Sequence, residues 1–454
     1  MTRLNLGKYH ERLERIRPLG CKGSVVRVAG LAVESKGPPV GTGQLCDIHL
    51  ADGRHVPAEV VGFHKANRIL LPLEGIAGIA PNDAVTVRSA PRYLRLGESI
   101  LGRVVDGLGR PIDGKGPLTG QESRALDQPP IEPMSRKRIT EPLSFGLRAF
   151  DAMLTCGKGQ RMGIFAGSGV GKSLLLGEIA RASEADVNVL ALVGERGREV
   201  REFLDEALGP EGLARSVVAV ATSDTSPIQR VKVAFLAITI AEYFRDQGRH
   251  VLLMMDSLTR FAQAQREIGL AAGEPPTTKG YCPSVFSLLP RLTERLGCTE
   301  RGSVTGMFTV LVEADDMTDP VADSARSLLD GHVILSRKLA EMGHYPAVDI
   351  LQSVSRLMPH VTSAAQQAAA QKLRTIYATY QGAEDLINIG ALVAGSNRHI
   401  DRAVSLIDQV RDFLIQPLGE RSSFPETLRR MQEITDKWDF LLPEETPKPS
   451  GVQT

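Results

Sequence analysis

The sequence predicts an α/β protein: a mainly parallel sheet covered by helices, preceded by a small β-barrel and followed by a helical domain. Three observations predict it. From Gly23 to about Pro91, six short β-favouring runs are separated by turn residues such as Asp52-Gly53 and Pro81-Asn82-Asp83, the pattern of a small closed barrel. From about Ile139 to Arg356, strand-like runs (MGIFA, VNVLALVG, SVVAVAT, HVLLMMD, TGMFTVLVEA, HVILSR) alternate with helical stretches. Such alternation builds a parallel sheet with helices on its faces. After Leu357 the strand patterns vanish, and helical ones continue to about Trp438.

Each segment has its own justification. Residues 1–20 carry Leu6, Tyr9, Leu13 and Ile16 at helical spacing among five basic residues. This reads either as a frayed terminus or as a docking helix for a partner, with weak contact to anionic lipid as a further use. Residues 21–92 form the barrel, in which nothing looks catalytic; assembly is its expected role. Residues 93–138 read as a linker stiffened by Pro129, Pro130 and Pro133. The nucleotide domain follows at 139–356, with helices expected over Val200 to Leu208 and from Pro227, where Ser226 is the N-cap. The helical domain spans 357–442, and a Pro- and Glu-rich tail at 443–454 is expected to be loose.

Composition excludes several classes. A chain of 454 residues exceeds one hydrophobic core, so two or three domains are expected. Hydrophobic content of 42% and charged content of 24% are ordinary for a soluble protein. A net charge of +1 argues against a general nucleic-acid binder. The five cysteines form no CxxC pair and no zinc spacing, which fits reduced thiols. No signal-peptide pattern opens the chain, and the longest apolar stretch, Val233 to Ile240, is too short for a bilayer. The expectation is a cytoplasmic protein.

The chemistry begins at Ala166-Gly167-Ser168-Gly169-Val170-Gly171-Lys172-Ser173, between the run Met162–Phe165 and a helical stretch from Leu174. Strand, glycine loop and helix in that order make a P-loop: backbone N–H groups and a helix N-terminus gather around a phosphate. Lys172 would reach the β/γ-phosphates of ATP, and the Ser173 hydroxyl would take a position on Mg²⁺. Ala166 stands where the strict pattern has glycine, at the end of the strand. The bland alternative is a glycine-rich turn without ligand.

VLLMMDSLTR (Val251–Arg260) reads as a Walker B strand, expected beside the P-loop strand, with Asp256 near Mg²⁺. Its alternative is an ordinary strand end with Ser257 capping a helix. Glu195, in GERGRE after the run VNVLALV, is the candidate for polarising the attacking water. Its alternative is a solvated charge cluster, which serves for Arg198 and Glu199. Transfer also calls for positive charge from a neighbouring subunit; Arg356 is the candidate, although spacing alone gives it no claim over other arginines.

AGSGVGKS, GERGREV, LLMMDSLTR and HYPAVDILQSVSR, after the barrel, together resemble the hexameric ATPases related to the rotary ATP synthases, and among these the type III export ATPases of flagella. The resemblance covers about residues 20–440. It implies a RecA-like nucleotide domain and a homohexamer with ATP and Mg²⁺ at each interface. It implies Lys172, Ser173, Asp256 and Glu195 in the roles given, and Arg356 reaching into the neighbour's site. It also implies Arg196 and Arg260 lining the phosphate site, and Tyr345 stacking on adenine; an ordinary loop tyrosine is the alternative for the last. The implied partners are a regulatory stator-like protein at the N-terminal helix, a coiled-coil stalk protein in the pore near Phe286 to Gly297, chaperone–substrate complexes at the helical domain, and a membrane export gate. The implied location is the cytoplasmic face of the inner membrane, bound peripherally.

The chain lacks the synthase's acidic DELSEED-type stretch, carrying AEDLINIGALVAGSN instead, and holds catalytic and arginine-finger motifs together. Both departures argue against an ATP synthase subunit. A virulence-injectisome ATPase and a non-catalytic assembly subunit stay open. A ring ATPase acting on RNA would need an aromatic stacking platform, and the barrel has only Phe63 before Tyr93.

Overall fold

A computed structural model describes residues 22–88, 93–312, 316–393 and 395–440. The expected N-terminal helix and the tail lie outside the described residues.

The first six strands are β1 (Lys22–Ala29), β2 (Ala32–Lys36), β3 (Leu45–His49), β4 (His55–His64), β5 (Asn67–Pro72) and β6 (Ala84–Val87). They close into a barrel in the order β1-β2-β5-β4-β3-β6, with β1 paired to β6. Alternation fills its interior: Cys46 and Ile48 of β3 are buried, together with Val25, Val33, Val60, Leu70 and Val85. The barrel is seated on the nucleotide domain. Ser226 Oγ and Gln229 Nε2 both donate to the Leu73 carbonyl, at 2.8 and 2.7 Å.

The connector is more than a spacer. Strands β7 (Tyr93–Leu96) and β9 (Glu122–Ala125) pair with each other, while β8 (Val104–Asp106), between them in sequence, becomes the edge strand of the main sheet. Arg103 locks it there, with Nε and Nη2 donating to Asp113 at 2.6 and 2.9 Å. The sequence hid this strand because three residues inside a glycine-rich turn carry no period.

Beyond a short pair, β10 (Pro142–Leu143) with β11 (Cys156–Gly157), come β12 (Arg161–Ala166), β13 (Val187–Glu195), β14 (Ser216–Thr222), β15 (His250–Asp256), β16 (Gly297–Cys298), β17 (Ser303–Leu311), β18 (Gly331–Leu335) and β19 (Val348–Ser355). The sheet runs β19-β18-β12-β17-β15-β13-β14-β8, with β16 paired to β17. It is parallel except for β19 and β16. Because helices cover both faces, β13 is buried at every position before Glu195.

Two helical expectations shift. The segment after β13 is α-helical from Gly197 to Glu202 and a π-helix from Phe203 to Leu208, so it starts three residues earlier than expected and changes pitch midway. The stretch Phe286 to Gly297, expected near the pore, is helical over most of its length: Pro283–Thr293 is a helix, with Pro283 at its first turn and Val285, Leu289 and Leu292 buried at helical spacing. The exposed loop lies before it, over Pro275 to Lys279.

Helices Ala364–Asn388, Arg398–Leu414 and Phe424–Phe440 make the C-terminal domain. Buried Arg148 clamps it to the nucleotide domain, donating to the carbonyls of Phe413 and Ile415 at 2.7 and 2.5 Å.

Candidate active site

Ala166, buried, is the last residue of β12, and the loop that follows turns through Gly169 (φ 79°) and Gly171 (φ 86°) into the helix Lys172–Ala182. These left-handed angles suit glycine, and a Cβ on Gly171 would also stand 3.3 Å from Tyr345 Cε1. The sequence placed Asp256 on the strand beside β12. The structure corrects this: β17 lies between β12 and β15. Crossover order, which local pattern does not encode, decides which strands are neighbours. Two strand spacings are about 10 Å, and the Lys172 side chain with the Asp256 carboxylate spans them: Lys172 Nζ donates directly to Asp256 Oδ1.

Glu195 completes the group. Gly194 (φ 71°) makes a bulge at the end of β13 and passes so near Arg260 that a Cβ would be 3.1 Å from Arg260 Cβ. The bulge turns Glu195 into the cleft, where its Oε1 lies 3.9 Å from Lys172 Nζ. That oxygen is buried without a hydrogen-bond donor among the described residues. Burial first, and then the Asp256 charge, push the Glu195 carboxyl up to about 7.

The cleft measures about 620 Å³ and is lined by the loop residues Ala166 to Gly169 and Gly171 to Ser173, by Glu195, and by Arg196 and Arg260. Arg260 Nη1 donates to Gln263 Oε1 at 3.1 Å, whereas the Arg196 side chain is 80% exposed and pairs with Glu199 at 3.0 Å. Ser223, Thr259 and Arg337 also line the cleft and escaped sequence reasoning. Ser223 and Arg337 follow the ends of β14 and β18, so the rule that ligands sit beyond strand C-termini was the signal available.

A second cavity, about 450 Å³, lies on the other side of the loop. Val170, Leu174, Leu335, Pro346 and the segment Ile415–Leu418 surround Tyr345 there. Its two polar side chains face commitments elsewhere: Gln416 bonds Arg148 N–H and the carbonyls of Gly146 and Glu420, and Glu178 bonds Arg181 and the Gly419 N–H. What remains is an apolar slot with one aromatic ring, which suits a stacked base.

Arg356 is not in this cleft. Ser355 pairs with Gly331 at the start of β18, whereas Ala166 pairs with Leu335 at its end, so Arg356 sits about 13 Å along the sheet from the phosphate loop. It is exposed, and Nη2 donates to the Arg326 carbonyl at 3.0 Å.

Comparison with known proteins agrees. The model of the ATP synthase alpha/beta family, nucleotide-binding domain, matches residues 146–355, and that of the T3SS EscN ATPase C-terminal domain matches residues 362–433. A flagellum-specific ATP synthase of Bacillus subtilis is 51% identical over 415 residues, covering 91% of this chain and 95% of that protein. A type 3 secretion system ATPase of Xanthomonas euvesicatoria is 48% identical over 415 residues, covering 91% and 94%. The assembled ATPase EscN of enteropathogenic E. coli superposes with a TM-score of 0.87 at 42% identity, over 91% of this chain and 100% of that one. EscN in complex with its central stalk EscO gives a TM-score of 0.84 at 41% identity, with the same coverage. The chain belongs to the ATP synthase alpha/beta family, in the group of flagellum-specific ATP synthases and type 3 secretion system ATPases.

Proposed function

We propose that the chain hydrolyses ATP, with Mg²⁺, at the interfaces of a homohexameric ring, and that hydrolysis drives type III protein export in the flagellar apparatus. The observation that carries the reading is the convergence of Glu195 and of Asp256, buried just behind the cleft, on Lys172 of the phosphate loop. Ser173 and Asp256 are hard oxygen donors, hydroxyl and carboxylate, which fits Mg²⁺. The ion would neutralise charge on the bridging phosphate oxygens.

The residues supply the rest. Lys172, balanced here by two carboxylates, would exchange them for phosphate oxygens when the triphosphate enters the loop. Glu195 would then be free to orient a water and take up its proton; a carboxyl near 7 suits that work at neutral pH. Arg196 and Arg260 would line the phosphates, and Tyr345 would stack on adenine. Arg356, remote from its own cleft, would serve the next subunit, so one chain alone holds an incomplete site.

Export as the purpose is supported by the relatives' names, and the flagellar branch by identities of 51% and 49% to flagellum-specific ATP synthases. The complex of EscN with EscO supports a stalk protein at the ring centre; the remaining partners are proposed on family likeness alone. So is the location, cytoplasmic and peripheral to the inner membrane. No described helix is long and apolar enough to cross a membrane.

The deciding experiment is ATP hydrolysis against protein concentration, for wild type and Glu195→Gln. Specific activity that rises with concentration, and is lost in the variant while nucleotide still binds, supports catalysis at interfaces. A flat profile removes Arg356 from its role, and an active variant removes Glu195 from its own.

A further inference from the structure

Asp256, buried behind Lys172 at the end of β15, has one oxygen already engaged. Its Oδ1 accepts from Thr309 Oγ1 at 2.6 Å as well as from Lys172 Nζ. Thr309 is fully buried on β17, the strand that separates β12 from β15. Its hydroxyl also lies 3.3 Å from the Met255 carbonyl, so of two acceptors the charged one is much the nearer. The threonine at 259 is different. Although Thr259 lines the cleft, its Oγ1 accepts from Leu311 N–H at 2.8 Å and lies 3.4 Å from the Leu311 carbonyl, so its hydroxyl is spent on fastening its helix to β17.

We propose that Thr309 is a positioning residue for the reaction: it anchors Asp256 Oδ1 in the protein and leaves Oδ2 as the oxygen open to the metal or its water. The proposal rests on the metal role given above to Asp256. Its logic is one of timing. Lys172 holds Oδ1 only until phosphate claims its charge, and Asp256 then loses its cationic partner. Thr309 cannot leave, because β17 is paired on both sides. Its hydroxyl thereby keeps the carboxylate in one rotamer through the exchange, and a hydrogen bond to a charged acceptor is among the stronger ones. No sequence motif announces it; a threonine amid the apolar run TGMFTVLV reads as an ordinary β-branched strand residue.

The test compares Thr309→Val, which keeps the shape and removes the hydroxyl, with Thr309→Ser, which keeps the hydroxyl, in the full-length protein. Mn²⁺ binding in the presence of ADP is read from the loss of the free-ion paramagnetic resonance signal, beside the Mg²⁺ dependence of hydrolysis. Thr309→Val is expected to weaken Mn²⁺ binding about tenfold, as loss of an outer partner of a metal ligand does. It should shift the Mg²⁺ half-saturation by about the same factor, with ADP binding in EDTA unchanged. Thr309→Ser should stay within about twofold of wild type, since its hydroxyl reaches the same acceptor. Wild-type Mn²⁺ affinity in Thr309→Val overturns the proposal, and so does a Ser variant as weak as the Val variant. Should the Val variant fail to fold, Thr309→Ala against Thr309→Ser gives the same reading. Asp256→Asn separates the two levels. If it binds Mn²⁺ like wild type, the metal reading itself is wrong; if it loses the ion while Thr309→Val does not, only the positioning role falls.

Discussion

On the proposed reading, the surroundings of Glu195 make it a base. A carboxyl raised to about 7 by burial and by Asp256 is half protonated near neutrality, and only the ionised form accepts a proton. The kcat/KM for ATP should therefore climb as pH rises through about 7 and level off above it. A flat profile between about pH 6 and 8 would show that this carboxyl does not limit the rate. Glu195→Gln should lower kcat by about 100-fold or more, with nucleotide affinity little changed, as measured in single turnovers and by equilibrium binding. At this scale the sequence was most informative where chemistry is local. Loop, lysine and serine are contiguous, and Asp256 ends an apolar run. Arg337 and Thr309 escaped because each reaches the site only through strand adjacency. Leu418, on no strand, escaped because only the tertiary fold brings it to the same cavity as Val170, some 250 positions away.

Elements meet at the nucleotide site by backbone contact. Gly177, in the helix after the phosphate loop, faces the π-helix so closely that a Cβ would stand 2.5 Å from the Ala207 carbonyl oxygen. Gly177→Ala must push the two helices apart. The expected cost is about 1–3 kcal/mol, seen as a lower denaturant midpoint at constant m. Since the π-helix continues the helix that begins two residues after Glu195, hydrolysis should fall as well. The connector offers a pH-dependent counterpart. Arg103 beside Asp113 holds that carboxyl well below the usual carboxylate range. A depressed pKa contributes stability above the unfolded value, near 4, and the contribution fades as pH falls below it. Asp113→Asn should thus destabilise at pH 7, by about 1–3 kcal/mol for the loss of a charge-assisted hydrogen-bonded pair that is largely covered. The gap between wild type and variant should close on acidification, as followed by urea melts across pH.

On the proposed reading the subunit carries the two halves of a site on different faces, and mixing tests this directly. Lys172→Ala and Arg356→Ala should each be inactive alone. Combined in mixed rings, they leave about a quarter of the interfaces with an intact loop facing an intact arginine. Activity returning on mixing, measured after co-refolding or co-expression, supports sharing between subunits; none returning at full assembly contradicts it. The three-part division was legible from the switch of period, barrel to alternating α/β to helix. The seam between the parts was not. Strand β8 precedes the main sheet in sequence by more than fifty residues, yet completes its edge. This affects how the protein can be cut. A shortened chain beginning at Ile139 looks like a clean nucleotide domain but would strip the partner from β14, offering its open row of amides and carbonyls to other molecules. Such a fragment should clump by strand addition, whereas one beginning at Leu94 keeps its own edging and stays dispersed.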